Sequence, residues 1–238
     1  MSQYKIITEK EAITRFQLSN FIRGKYGNKG KYLLLEGNVE IPQDVNIQKL
    51  CAEAGASGII ADGNLTLTGV LYQPDMDYGE TLFVTGDLRA KSINKGGAEF
   101  YIKGNLIVEQ TIYGYYNHGS LTVEGNTEAT TIFAEDHFFK FGGDVQGLII
   151  NTGNIDGAEA DFNTTEPLLD ELIKNDHYSN SGKLDQYINE GRHIISEQYI
   201  KGKRQRVSYC RVMMNVFTSP VMLILPMRLT AIIMMAVL

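Results

Sequence analysis

The sequence predicts a mainly β protein: a single-stranded β-helix, or β-solenoid, of about six coils, with short helical caps at both ends. Three observations carry this. A phrase of alternating apolar residues, then Gly, then Asn or Asp, recurs along the first two-thirds of the 238-residue chain. Its glycines fall at Gly37, Gly63, Gly86, Gly104, Gly125 and Gly143, in steps of 26, 23, 18, 21 and 18 residues. Repeats of roughly 20 residues, each with short alternating segments and a turn, mark a solenoid, whose copies share a core that none could bury alone.

The elements follow in order. Residues 1–31 are expected to form an N-terminal cap, with an amphipathic helix over 9–23 that places Ile13, Phe16, Leu18 and Phe21 on one side, over the first coil. Residues 32–160 are the solenoid. Within each copy the apolar residues sit two apart, as in Phe100 and Ile102 or Leu121 and Val123, which puts them on one face of a strand. The Gly-Asn or Gly-Asp pair then turns a corner, where Gly is expected to take a positive φ and Asn or Asp to tolerate one. A stack of hairpins is the competing architecture. The Gly-first order and the spacing of a coil between copies favour the β-helix.

Residues 161–203 read as a helical C-terminal cap. Asn163-Thr164-Thr165-Glu166-Pro167 has the cap residues and first-turn proline of a helix start before Leu168–Ile173, and a second helix is expected over 183–190, stopped near Gly191. Residues 204–238 form an apolar, Met-rich tail holding Met213, Met214, Met222, Met227, Met234 and Met235. Three readings of it stay open: a membrane anchor, an interface segment, or an out-of-frame or otherwise non-native end. Residues 220–238 would make a helix of about 28 Å, near the span of a bilayer, but Pro220, Pro226, Arg228 and Thr230 argue against that use.

The chain carries 22 Lys+Arg and 28 Asp+Glu, a net of −6. No acidic residue follows Glu197, while Lys201, Lys203, Arg204, Arg206, Arg211 and Arg228 do, so residues 1–197 hold 16 basic and 28 acidic groups, a net of −12. An acidic body argues against nucleic-acid binding and suits a basic partner protein. Cys51 and Cys210 give neither a disulfide framework nor metal spacing. Residues 1–10 lack the apolar run of a signal peptide, so the expected location is the cytoplasm.

No chemistry is expected: no catalytic residues, no cofactor, no metal. His118 and His137 lie 19 residues apart, about one coil, and could stack on adjacent rungs, but a zinc site needs a third protein ligand and His177 lies beyond the coils. Asp62, Asp75, Asp77, Asp87, Asp136 and Asp144 sit mostly in turns, where Asp serves the backbone, rather than in one cleft. The segment Tyr113-Gly114-Tyr115-Tyr116-Asn117-His118 and the run Phe133 to Phe141 concentrate aromatics on the later coils. Phe139 and Phe141 fit the inward alternation, whereas Tyr113, Tyr115, Tyr116 and His118 flank a turn and are the candidate partner-binding residues.

The phrase seen at Gly86-Asp87-Leu88 and Gly104-Asn105-Leu106 resembles the bactofilin-like, polymer-forming proteins of bacteria, over about residues 32–155. The resemblance implies a β-helix that assembles end to end without nucleotide. This chain departs from that pattern in its longer, less regular coils and in its terminal helical material. The expected function is a non-catalytic structural, self-associating or protein-binding scaffold. The alternative is an immunity-type protein that neutralises a basic toxin in a bacterial toxin system, and a β-helix enzyme is the third reading.

Overall fold

The structure, a computed structural model, describes residues 4–18, 30–77, 79–173 and 181–199. Residues 1–196 form one compact unit and 197–238 a second. The tail readings for 204–238, together with Phe21, His177 and Cys210, lie outside the described residues.

The chain winds through stacked rungs of three short strands. The first rung is β2 (Lys31–Glu36), β3 (Val39–Ile41) and β4 (Val45–Asn46), preceded by β1 (Lys5–Thr8) and helix α1 (Glu9–Phe16) and followed by helix α2 (Ile47–Ala54). The second is β5 (Gly58–Asp62), β6 (Leu65–Leu67) and β7 (Val70–Gln73); the third is β8 (Thr81–Val84), β9 (Leu88–Ala90) and β10 (Ser92–Lys95). The fourth is β11 (Glu99–Ile102), β12 (Leu106–Val108) and β13 (Thr111–Tyr115). In the fifth, β14 (Ser120–Val123) is followed by a long β15 (Thr127–Glu135) that serves two faces. The sixth, β16 (Phe138–Phe141) and β17 (Val145–Asn151), repeats this, and β18 (Asn154–Asp156) begins a further turn.

Pairing from rung to rung is parallel, in register as in Leu82↔Phe100 and Phe100↔Leu121, with a shift between Glu128 and Thr131 where β15 meets β17. The first face runs β2-β5-β8-β11-β14-β16-β18. The second runs β3-β6-β9-β12 and the start of β15, and the third β4-β7-β10-β13 and the end of β15, with β17 below both. The expected β-solenoid is therefore the observed one. Leu33, Ile59, Leu82, Phe100, Leu121 and Phe139 stack inward from the first face, and Leu71, Ile93, Ile112, Ile132 and Ile149 from the third, into one continuous core.

The Gly-Asn/Asp corner holds for a different reason from the one expected. Among these six glycines, φ is positive only at Gly37 (76°) and Gly63 (144°). At the other four the requirement is close approach. A Cβ on Gly104 would lie 2.5 Å from the carbonyl carbon and oxygen of Gly86 and from Asp87 Oδ1, and Gly125 and Gly143 are enclosed in the same way by the rung before. The residue after each glycine builds a ladder. Asn38 Oδ1 accepts from the Asn64 amide at 3.0 Å, Asn64 Oδ1 from the Asp87 amide at 2.8 Å, and Asp87 Oδ1 from the Asn105 amide at 2.8 Å. Asn105 and Asn126 continue it to Asn126 and Asp144, both at 2.9 Å.

Helices stand at both ends of the solenoid sequence, but their seats differ from the expected ones. Thr8 caps α1, accepting the Glu11 amide at 3.2 Å, and left-handed Gln17 ends it, well short of residue 23. The helix lies across the outside of the first face, where Ala12, Phe16 and Leu18 bury Leu34, Ile60 and Phe83. It is β1, antiparallel to β2, that covers the first coil's edge on this face. At the far end, Ala158 and Ala160 pack on the core, and Phe162 bridges Ile150 while its carbonyl accepts the Asn151 amide at 2.8 Å. Helices α3 (Asp170–Ile173) and α4 (Ser181–Asn189) belong to a segment that returns along the outside of the third face, with α4 against β7 and β10. Its Leu184, Tyr187 and Ile188 are buried, and its Asp185 and Asn189 accept from the outward side chain of Asn94 on β10.

Candidate functional site

The corner joining the third face to the first gathers the aromatic residues singled out in the sequence. Its turns stack Asp75-Met76, then Gly96-Gly97, then Tyr116 to Gly119, then Asp136-His137. Gly97 lies under the Met76 carbonyl and near His118 Cβ, too close for any side chain. This glycine step leaves His118 room to reach past one rung, so that its Nδ1 meets Asp77 Oδ1 at 3.0 Å. Tyr116 stands edge-on to His118 with ring centroids 5.0 Å apart, and it holds a left-handed φ of 73° that turns its side chain out of the wall.

The four candidate residues divide. Tyr113 is buried, stacked at 5.3 Å on both Tyr115 and Phe133, with its hydroxyl donating to Glu135. Tyr115 is half-buried and donates to the Pro74 carbonyl at 3.1 Å. These two are wall residues, and burial pushes both phenols up from their ordinary value. Tyr116 and His118 face outward. Two residues beside them, Met76 and Phe138, are exposed and were not anticipated. Phe138 was legible, since the alternation that sends Phe139 and Phe141 inward sends Phe138 out. Met76 carried no sequence signal.

The charge around this outward patch is acidic: Asp75, Asp77 and Asp136 belong to the same turns, and Asp77 and Asp136 are exposed. The six aspartates do not converge on a cleft. Asp87 and Asp144 serve the corner ladder, Asp62 meets Arg15 at 2.8 Å, and Asp75 accepts the Asp77 amide at 2.9 Å.

Beneath the patch lies a buried polar pair. Lys95 occupies an inward position of the third face and approaches His137 Nε2 at 2.5 Å, with the Phe100 ring 5.3 Å away. His137 Nδ1 lies 2.7 Å from the Tyr116 carbonyl. A lysine only donates when charged, so the ring is neutral with its proton on Nδ1, given to that carbonyl. Burial first, and then the charge of Lys95, hold His137 down to about 2. His118 and His137 thus turn apart, one to the surface and one inward, and His193 is exposed elsewhere. Among the described residues no group of three metal-ligating side chains occurs.

A second polar seam lies under α4. Asn94 Nδ2 donates to Asn189 Oδ1 at 2.9 Å and to Asp185 Oδ1 at 3.3 Å. Burial pushes the Asp185 and Glu135 carboxyls up. The seam fixes the helix on the wall. Among the described residues no helix is long and apolar enough to cross a membrane. No family model, curated protein or solved structure matches the chain.

Proposed function

We propose that this chain is a non-catalytic β-solenoid scaffold that acts by binding protein in a bacterial cytoplasm. The observation that carries the reading is the outward patch at one corner: Met76, Tyr116 and Phe138 exposed, the half-buried His118 beside Tyr116, and Asp75, Asp77 and Asp136 around them. Aromatic rings beside carboxylates suit an arginine-bearing partner, which can stack on the ring and pair with the acid at once. The −12 body would speed such an encounter. The same charge favours one narrower reading, an immunity-type inhibitor seated on a basic toxin.

The test is a titration with an oligo-arginine peptide followed by NMR. The expected result is shifts centred on Tyr116, His118 and Phe138 that weaken with added salt. Tyr116→Ser combined with Phe138→Ser should cost about tenfold or more in affinity, the usual scale for aromatic anchors. Equal binding of an oligo-glutamate peptide, or shifts scattered over the acidic body, would count against the corner as the site.

A further inference from the structure

The first three rungs enclose a cavity at a level where the later rungs are filled. We infer that this cavity takes an uncharged, single-chain aliphatic amphiphile, with the chain inside the solenoid and the polar end at the rim. The site is independent of the corner.

The cavity follows from which residues point inward. Along the first face the inward stack runs Leu33, Ile59, Leu82, Phe100, Leu121 and Phe139. Aromatic rings enter that stack only at the fourth rung, and the first three rungs carry smaller side chains there. The first rung is also short on its third face. There β4 supplies only Val45 and Asn46 before α2 begins, and Leu50 of that helix takes the wall's place beside the cavity. The result is a volume of about 530 Å³ that runs from Tyr4, just ahead of β1, to Leu82 in the third rung. From the first rung to the third is about 10 Å, two strand spacings. This is the size of a small-molecule site and too small for a two-chain lipid.

The lining decides the chemistry. Leu33, Leu35, Ile59, Leu65, Leu71 and Leu82 are buried and aliphatic. Among the described residues the polar side chains of the lining belong to Tyr4, Glu40 and Gln43, all at the first-rung end. A water molecule deeper in would lack the two to four polar partners it needs, and a polar cofactor would find nothing to orient it. An alkyl chain needs neither. The lining includes Glu40 and no Lys or Arg, so a carboxylate or phosphate head would meet no counter-ion. An uncharged hydroxyl or ester head can bond to the Tyr4 hydroxyl or the Gln43 amide. Strand β3 ends its sheet among the described residues, so its outer peptide groups add donors and acceptors at the same rim.

The test is calorimetric titration of the full chain with hexanol, octanol, decanol and decanoate, with methyl NMR to place the decanol. The expected result is saturable one-to-one binding whose affinity rises about fourfold per methylene from hexanol to decanol. Decanoate should bind at least tenfold more weakly than decanol. Methyl shifts should centre on Leu33, Leu65 and Leu71. Ile59→Phe gives the second rung the ring that Phe100 carries in the same stack, and should weaken decanol at least tenfold, while Phe138→Ser should leave it unchanged. Far-UV circular dichroism checks that both variants keep their strands. No saturable decanol binding, decanoate bound as tightly as decanol, shifts away from these methyls, or a folded Ile59→Phe that binds like wild type would each overturn the inference. A chain that light scattering shows as a dimer, split by decanol, would assign the mouth to a second copy and overturn it too.

Discussion

At Gly104 a single hydrogen atom decides whether two rungs can meet. A side chain there would overlap the Gly86 backbone, which has no rotamer with which to yield. Gly104→Val should therefore cost about 3 kcal/mol or more, the upper range of overpacking. Lys103→Ala, next to it, removes only an exposed amine 5.5 Å from the Phe83 ring and should cost under about 1 kcal/mol. Thermal melts of the two variants check this, and equal midpoints would mean the corner is not close-packed. His137 makes a pH prediction. The unfolded ring takes a proton near 6.5, whereas the folded one resists until about 2. Between those values the unfolded chain binds the extra proton, so this group's stability is complete above about 6.5 and declines as pH falls. Glu135 and Asp185, whose carboxyls are raised, act in the opposite sense: their contribution is present at low pH and lost as pH rises through their folded values. His137→Gln should make stability fall less steeply between pH 6.5 and 5, by up to about 1.4 kcal/mol per pH unit. Parallel pH profiles would show that His137 is not buried neutral.

The elements that the sequence announced are those with period two. Phe100 and Ile102, or Leu121 and Val123, point inward because strands alternate, and the six glycine-marked copies became six rungs. Two elements escaped. Strand β1 is only four residues long, and Ile6-Ile7 has no repeat partner to mark it. Helix α2 was readable: Asn46 caps it, Ile47, Leu50, Cys51 and Ala54 fall at helical spacing, and Gly55 ends it in a left-handed conformation. The regular phrase on either side hid it, and α2 is the reason the first step is 26 residues rather than 18. The spacing of the phrase marked the corner, but not the bonds between corners. The Asn/Asp ladder exists only once rungs stack. Asp87 accepts from both the backbone and the side-chain amide of Asn105, at 2.8 and 3.1 Å. Asp87→Ala leaves a part-buried donor unpaired and should cost about 1–3 kcal/mol, while Asp87→Asn keeps the acceptor and should cost well under 1 kcal/mol. Urea denaturation of the pair decides it, and matching midpoints would mean the ladder contributes nothing.

For the molecule as a whole, the composition predicted a binding body and the structure distributes its surfaces. Outside the first face α1 covers Leu34, Ile60 and Phe83, and α4 lies against β7 and β10 of the third. The outward side of the second face is polar and exposed, with Glu40, Arg89, Glu128 and Gln146, and the aromatic, acidic corner stays open as well. Half of the corner was legible. Tyr116 and His118 face outward, but Tyr113 and Tyr115 are wall residues: Tyr113 stacks on Tyr115 and on Phe133 of the next rung, and Tyr115 donates to the Pro74 carbonyl, contacts that exist only once rungs stack and that no local pattern marks. The account's central claim is that this solenoid binds protein through that corner. The most direct measurement is chemical-shift mapping of the full chain titrated with oligo-arginine. The account predicts shifts centred on Tyr116, His118 and Phe138 that weaken with added salt. Shifts spread over the acidic body, or none at all, would contradict it.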